Sequence, residues 1–499
     1  MTDATASTAT FLGHPRGLAT LFFTEFFERF SYYGMRALLV LFLTAEIAKG
    51  GLGVDNATAG AIYGLYTAGA YLFCVPGGWI ADRLIGQRQC VWYGGILIAI
   101  GNVLLAFGPI SIFYAGLLVT ALGTGLLKPN VSAVVGDLYA HAPGERRDAG
   151  FSIFYVGINL GAMIAPLVSG TVGETIGYRW GFLSAGIAMM IGLVQYRLTE
   201  HYLGTAGNAP KDQNVATRAA NLRWLLLGGC TLAVIAALFA AGVVRVTVQQ
   251  LAEWFNSFMV GLAVLFFGSV LLFGGLSTIE KRRVVVIIVF FLCAALFWAG
   301  FEQAGSTLNL FARDLTDRSL LGGYFDAHEH PATWYQSINS VFIILLSPFF
   351  AWLWVTLGRR NLDPSAPLKF GLGLAFLGLG FMVLIFAANL IITHGGKVGP
   401  QWLLLTYLLH TTGELCLSPI GLSNVTKLAP TRFKSQMMGL WFLGTALGNL
   451  AAGQIGGRIG SDVTTMPAEF LHMTLIGVVS GGIVLLLSPV FKRWMGGIH

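Results

Sequence analysis

The chain has 499 residues, 55% of them hydrophobic and only 11% charged, with 65 glycines and a mean hydropathy of +0.72. That balance excludes a soluble globular enzyme and predicts an all-α polytopic membrane protein, because in lipid every backbone group must be satisfied within the protein. The formal charge of +7 is scattered singly and in pairs between apolar runs, so it reports topology and predicts no nucleic-acid partner.

The first run, 18–44, holds TEFFERFSYYGMR from Thr24 to Arg36. Glu25, Glu28 and Arg29 stand at i, i+3 and i+4, and Tyr32, Tyr33 and Arg36 follow, so all lie on one helical stripe. A charge at the bilayer centre costs about 2.5 to 3.5 kcal/mol on insertion scales, so this stripe must face a bundle interior or a wet cavity. The second run, 57–81, carries Tyr63, Tyr66 and Tyr71 and leads into GGWIADRLIGQR. There Gly77 and Gly78 allow close helix approach, and Arg83 and Arg88 anchor a cytoplasmic turn. That loop resembles the signature of the major facilitator superfamily.

Runs at 89–107 and 111–135 follow, and the second of them sets Lys128 directly before Pro129 among small apolar residues. The fifth run, 149–172, reads FSIFYVGINLGAMIAP, with Tyr155 and Asn159 on one face; Asn159 suits either interhelical bonding or substrate contact. After a sixth run at 180–197, the polar stretch 198–221 marks a boundary. Runs at 222–244 and 254–278 carry no candidate chemistry and read as an inserted pair.

Glu302 and Gln303 lie far from any loop in the next run, 284–311, which also holds Trp298. The run 333–356 contributes Asn339, and DAHEH at 326–330 before it reads as a solvated turn rather than a metal site. After 370–393, the run 401–425 places Glu414 mid-helix with Ser418 one turn on, and His410 reads as a packing histidine. Trp441 and a GxxxG pair, Gly444 and Gly448, mark 435–457, and 468–490 closes the set. The five cysteines all fall in apolar runs and read as core residues, not a disulfide framework.

Fourteen runs with the N-terminus inside put twenty of the thirty basic residues on the inner side and seven on the outer, which predicts cytoplasmic termini. The implied organisation is a six-helix bundle over 1–197, a cytoplasmic linker over 198–221, an inserted hairpin over 222–280 and a second six-helix bundle over 281–499. Two pseudo-symmetric bundles suit a transporter site near the midplane. At about 1.5 Å of rise per residue, Glu25, Glu28, Lys128 and Glu414 lie roughly 10 to 15 Å from the inner face, and Arg36 and Glu302 roughly 27 Å from it. Arg36 is therefore expected to meet Glu302, and Lys128 one of Glu25, Glu28 or Glu414. Four acids against three bases leave one surplus negative charge, so one carboxylate is a natural proton site.

The ExxERFxYYG pattern at Glu25 to Gly34 is similar to the signature of the proton-dependent oligopeptide transporter family. Lys128, the FYxxINxG element at Phe154 to Gly161, Glu302 and GELxLSPxGLS from Gly413 to Ser423 carry the same resemblance, which spans nearly the whole chain. It implies import of di- and tripeptides with protons across a bacterial inner membrane, with no cofactor and no enzymatic activity. It further implies that Glu25, Glu28 and Glu302 handle protons, that Arg29, Arg36 and Lys128 hold the peptide carboxylate, and that Glu414, Asn159 and Asn339 hold its amino end. Tyr33, Tyr71, Trp298, Ser418 and Trp441 would shape the pocket, and Lys128 with Glu414 would form an inner gate. A proton-coupled carrier of another amphoteric solute or drug is the competing expectation. The absence of HExxH and GxSxG motifs argues against a membrane enzyme.

Overall fold

The computed structural model describes residues 10–208, 215–240, 242, 244–458 and 462–497, and within them the chain is almost entirely helical. Residues 1–9 of the expected first bundle and 209–214 of the expected linker lie outside the described residues. The long helices are α1 Arg16–Thr44, α2 Asn56–Ile85, α3 Gln87–Phe107, α4 Ile110–Leu138, α5 Gly144–Thr175, α6 Tyr178–Leu203 and α7 Val215–Ala240. They continue as α8 Val248–Phe273, α9 Thr278–Leu315, α10 Ala332–Arg359, α11 Ala366–His394, α12 Gln401–Leu428, α13 Lys434–Arg458 and α14 Met466–Trp494. Among the described residues, ten of these are long and apolar enough to cross a membrane. The other four, α1, α7, α12 and α13, have 29, 26, 28 and 25 residues, more than the roughly 20 that a bilayer core requires.

Local chemistry sets the helix starts and breaks. Thr247 with Gln250, and Ser277 with Glu280, form capping boxes at the starts of α8 and α9. Gly86, at φ 83°, separates α2 from α3 in a conformation open only to glycine at low cost. The Asp82–Arg83 motif itself forms the widened last turn of α2. A tighter 3-10 turn at Glu302–Gly305 interrupts α9, and Ser306, at φ −122° and ψ −91°, restarts it.

Two compact units result. The first comprises Met1–Met35, Phe73–Ala165 and Phe182–Val246. Its core includes Leu18, Val91, Ile98, Leu127, Val131 and Met189, and α3 meets α4 where a Cβ on Gly123 would stand 2.6 Å from the Gly94 carbonyl oxygen. Arg88 draws the start of the linker onto this unit, donating to the Ala206 and Gly204 carbonyls at 2.6 Å each.

The second unit comprises Arg36–Leu72, Pro166–Gly181 and Thr247–His499, so the later parts of α1 and α5 and the earlier part of α2 pack with the C-terminal helices. Phe290, Phe297, Phe370 and Phe381 lie in its core, with the Phe290 and Phe370 rings stacked at 4.3 Å. Along the α2–α13 seam backbone meets backbone. A Cβ on Gly60 would lie 2.3 Å from the Gly453 carbonyl oxygen, and one on Gly453 would lie 2.3 Å from that of Gly60. The expected GxxxG pair also packs tightly, Gly448 against Trp298 and Gly444 against Phe291, both on α9.

Candidate functional site

In the first unit the charged stripe of α1 folds onto itself. Arg29 Nε lies 3.1 Å from Glu25 Oε1 and also pairs with Glu28 Oε2, and all three residues are buried. The guanidinium carbon sits 5.3 Å from the Tyr32 ring centroid. Each carboxylate has one oxygen without a hydrogen-bond partner, Glu25 Oε2 and Glu28 Oε1. Lys128, half-buried on α4, lies within electrostatic reach of both carboxylates. Its neighbour Pro129 is accommodated inside the helix, and Asn130 donates to the Leu126 and Gly77 carbonyls at 2.7 and 3.2 Å, joining α4 to α2. Gly161 lets α5 lie against α1, since a Cβ there would stand 2.4 Å from the Phe26 carbonyl oxygen. Asn159 spends its amide on its own helix, donating to Tyr155 O at 2.9 Å. Tyr33 is half-buried next to this cluster in sequence.

The second unit holds the other charged cluster. Arg36 Nη2 stands 2.9 Å from Glu302 Oε2, the pair expected from helix depth. That oxygen has no hydrogen-bond partner, so the contact is an ion pair off the N–H direction. The directional bonds run through Tyr63, whose hydroxyl accepts from Arg36 Nε at 2.7 Å and donates to the Glu302 carbonyl at 3.0 Å. The 3-10 break explains why that carbonyl is available: at Glu302 the chain leaves the regular α ladder. Gly305 gives Tyr63 its room, as a Cβ there would fall 2.4 Å from the hydroxyl. One turn beyond, Asn309 donates to Ala37 O at 2.8 Å, so α1 and α9 are tied twice.

Glu414 is buried on α12 and accepts from Asn339 Nδ2 at 3.0 Å, and the same amide reaches Thr411 Oγ1 at 3.0 Å. Asn339 and Glu414 are thus brought together, while Asn159 belongs to the other unit. Glu414 and Glu302 also sense each other electrostatically. Trp298 is half-buried against Phe297 and Phe301 at 5.5 and 5.3 Å, and Trp441 is buried against Gly421 and 6.3 Å from the Phe370 ring. Tyr71 packs at the edge of the core, and Ser418 is half-buried. His410 packs on Phe381, with ring centroids 5.0 Å apart.

Two polar residues that tie helices together carry little signal in the sequence. Tyr63 is one, and its only signal is a phenol in a run of small residues. The other is Glu174 at the end of α5, which accepts from the Ala332 and Thr333 backbone N–H groups at 2.9 Å each and from Thr333 Oγ1 at 2.7 Å. Its carboxylate therefore caps the start of α10, where the helix dipole favours an anion. Trp334 Nε1 adds a bond to Thr171 at 2.8 Å. Around this cap, Arg318 and Lys397 both pair with Glu329 at 2.5 Å, so DAHEH serves an ion-pair network. His330 is buried there, and burial pushes its imidazole below the ordinary range.

A sequence model of the POT family matches residues 88–466. The chain belongs to the POT family. It is 41% identical over 502 residues to the peptide transporter YePEPT of Yersinia enterocolitica subsp. palearctica, covering 97% of this chain and 96% of that protein. It is 39% identical over 505 residues to a di-/tripeptide transporter of Lactococcus lactis subsp. cremoris, covering 98% of each. The crystal structure of a peptide transporter POT in complex with sulfate superposes with a TM-score of 0.91 at 40% identity, covering 99% of this chain and 98% of that one. The protein is thus an integral membrane transporter of the major facilitator fold, and not an enzyme.

Proposed function

We propose that this member of the POT family is a proton-coupled symporter that imports di- and tripeptides across the bacterial inner membrane by alternating access, with both termini cytoplasmic. In this reading, residues 1–197 and 281–499 are the two six-helix bundles, with the linker 198–221 and the hairpin 222–280 between them in sequence. The Arg36–Glu302 ion pair carries the proposal, because it joins two helices through a carboxylate that a proton can neutralise. Protonated Glu302 no longer balances Arg36, and a buried guanidinium without its partner is costly, so proton binding releases α1 from α9. The bonds from Asn309 to Ala37 and from Thr333 to Glu174 would open in the same step.

A zwitterionic peptide fits the remaining charges. Arg29, Arg36 and Lys128 receive its carboxylate end, and Glu414, oriented by Asn339 and assisted by Asn159, receives its ammonium. Tyr33, Tyr71, Trp298, Ser418 and Trp441 shape the space for its side chains. Glu25 and Glu28 share the proton-handling role with Glu302, and Lys128 and Glu414 act as gate residues whose charges answer to the two peptide termini.

The test is uptake of labelled dialanine into liposomes holding the purified protein under an imposed, inside-alkaline proton gradient. Concentrative uptake that a protonophore collapses and excess unlabelled dialanine suppresses is expected. Proton-driven exchange currents without competition from any di- or tripeptide would transfer the assignment to another amphoteric solute.

A further inference from the structure

Several threonines inside the helices of the second unit share a habit. Thr406, Thr412, Thr445 and Thr474 each return the hydroxyl to the carbonyl four residues earlier, at 2.9, 2.8, 3.4 and 2.9 Å. That bond satisfies a helical hydroxyl without help from another element. Thr411, fully buried on α12 beside Thr412, makes no such bond among the described residues. Its Oγ1 instead accepts from Asn339 Nδ2 of α10 at 3.0 Å, the same nitrogen that donates to Glu414 Oε2 at 3.0 Å.

Thr411 and Glu414 stand at i and i+3, neighbours on one face of α12, so a single NH2 group meets two acceptors from one helix. An asparagine NH2 has two N–H donors, and both are committed here. The last torsion of asparagine is broad, so one bond would leave the amide free to swing, and two fix its plane. With the nitrogen held to α12, the amide oxygen is turned away from it. Asn339 is half-buried, and among the described residues neither its Oδ1 nor Glu414 Oε1 accepts a hydrogen bond or is sealed from the surface. Two acceptor oxygens are thus held side by side without donors, and an ammonium group brings three.

We propose that Thr411 is a positioning residue for peptide recognition, a role that rests on the peptide-import reading: it locks the Asn339 amide so that Asn339 Oδ1 and Glu414 Oε1 together receive the ammonium end of the substrate. Thr411 itself touches no substrate. It acts by denying the amide its flipped orientation, in which Oδ1 would face the Glu414 carboxylate and the NH2 group would meet the ammonium.

Uptake of labelled dialanine into liposomes, with KM and maximal rate measured separately, tests this role. Thr411→Val keeps the shape of the side chain and removes the acceptor. KM should rise about fivefold, the worth of one hydrogen bond between neutral groups, with the maximal rate unchanged, and Thr411→Ser should restore it. In an Asn339→Ala background Thr411→Val should do nothing further, because the amide through which it acts is gone. That arm reads dialanine binding to the purified protein from the rise in melting temperature, which needs no transport. Equal KM for wild type and Thr411→Val would overturn the role of Thr411 alone. So would effects that add in the double variant, which are those of a threonine that merely packs. Wild-type liposomes that take up no dialanine would overturn the import reading and the role of Thr411 with it.

Discussion

The two charged clusters differ in their arithmetic and in their wiring. In the first unit, Glu25 and Glu28 face Arg29 and Lys128, two acids against two bases, and the ion pairs of Arg29 with both carboxylates stay within α1. In the second, Glu302 and Glu414 are set against Arg36, two acids against one base, and the Arg36–Glu302 contact joins α1 to α9. An ion pair inside one helix records charge, whereas one between helices also records their position. The one surplus negative charge among these seven groups is therefore attached to the contact whose breakage moves a helix. A balanced cluster suits holding a charged substrate, and an unbalanced one suits taking up a proton.

The strongest way to break this contrast is to balance the second cluster permanently. Glu302→Gln should abolish accumulation driven by the proton gradient while leaving peptide exchange, measured as counterflow in liposomes. The loss amounts to roughly the fiftyfold gradient that one charge moving through 100 mV supports, from about 2.3 kcal/mol. If the variant still concentrates peptide, the proton enters elsewhere. The converse change unbalances the first cluster. Lys128→Gln leaves two carboxylates on one guanidinium, and initial uptake should fall at least about tenfold, a cost of about 1.4 kcal/mol, with counterflow falling equally. Unchanged counterflow would separate Lys128 from substrate binding.

Smaller effects sharpen the wiring. Tyr63→Phe strips the hydroxyl that links Arg36 to the Glu302 carbonyl and leaves buried groups unsatisfied, a cost of about 1 to 3 kcal/mol. Melting of the detergent-solubilised protein should report that loss, while uptake stays proton-driven. A fully uncoupled Tyr63→Phe would mean that the hydroxyl, and not the ion pair, carries the coupling. The least effect is expected at His330, outside the spans and beside Arg318, Glu329 and Asp317. Its folded form stays neutral below the ordinary value of 6.5, whereas the unfolded chain takes up a proton there. Stability should therefore fall as pH drops below about 6.5, and His330→Gln should flatten that slope in melting curves.

The ion pair of Arg36 with Glu302 is legible in the amino-acid sequence, because helical rise turns residue number into depth and charges are rare in lipid. Depth alone does not choose among partners on one level, so the sequence offers Lys128 three candidates. Tyr63 is illegible for another reason: a tyrosine in an apolar run has many uses, and its partner carbonyl exists only because α9 breaks. Glu174 belongs to no motif in the sequence, and only the folded chain brings it the three donors at the start of α10. Gly444 and Gly448 stand out as a motif, but Gly60, Gly64, Gly453 and Gly457 are lost among 65 glycines.

That α2–α13 seam has a consequence for how any mutational scan of this transporter will look. Backbone faces backbone there, and even a methyl group on Gly60 or Gly453 meets a carbonyl oxygen at 2.3 Å. No substituent fits by choosing another rotamer, so both positions will score as intolerant as Glu302 although no substrate or proton touches them. The two kinds of intolerance part only when protein abundance is counted beside uptake: a seam variant disappears from the membrane, and a Glu302 variant remains there, folded and idle.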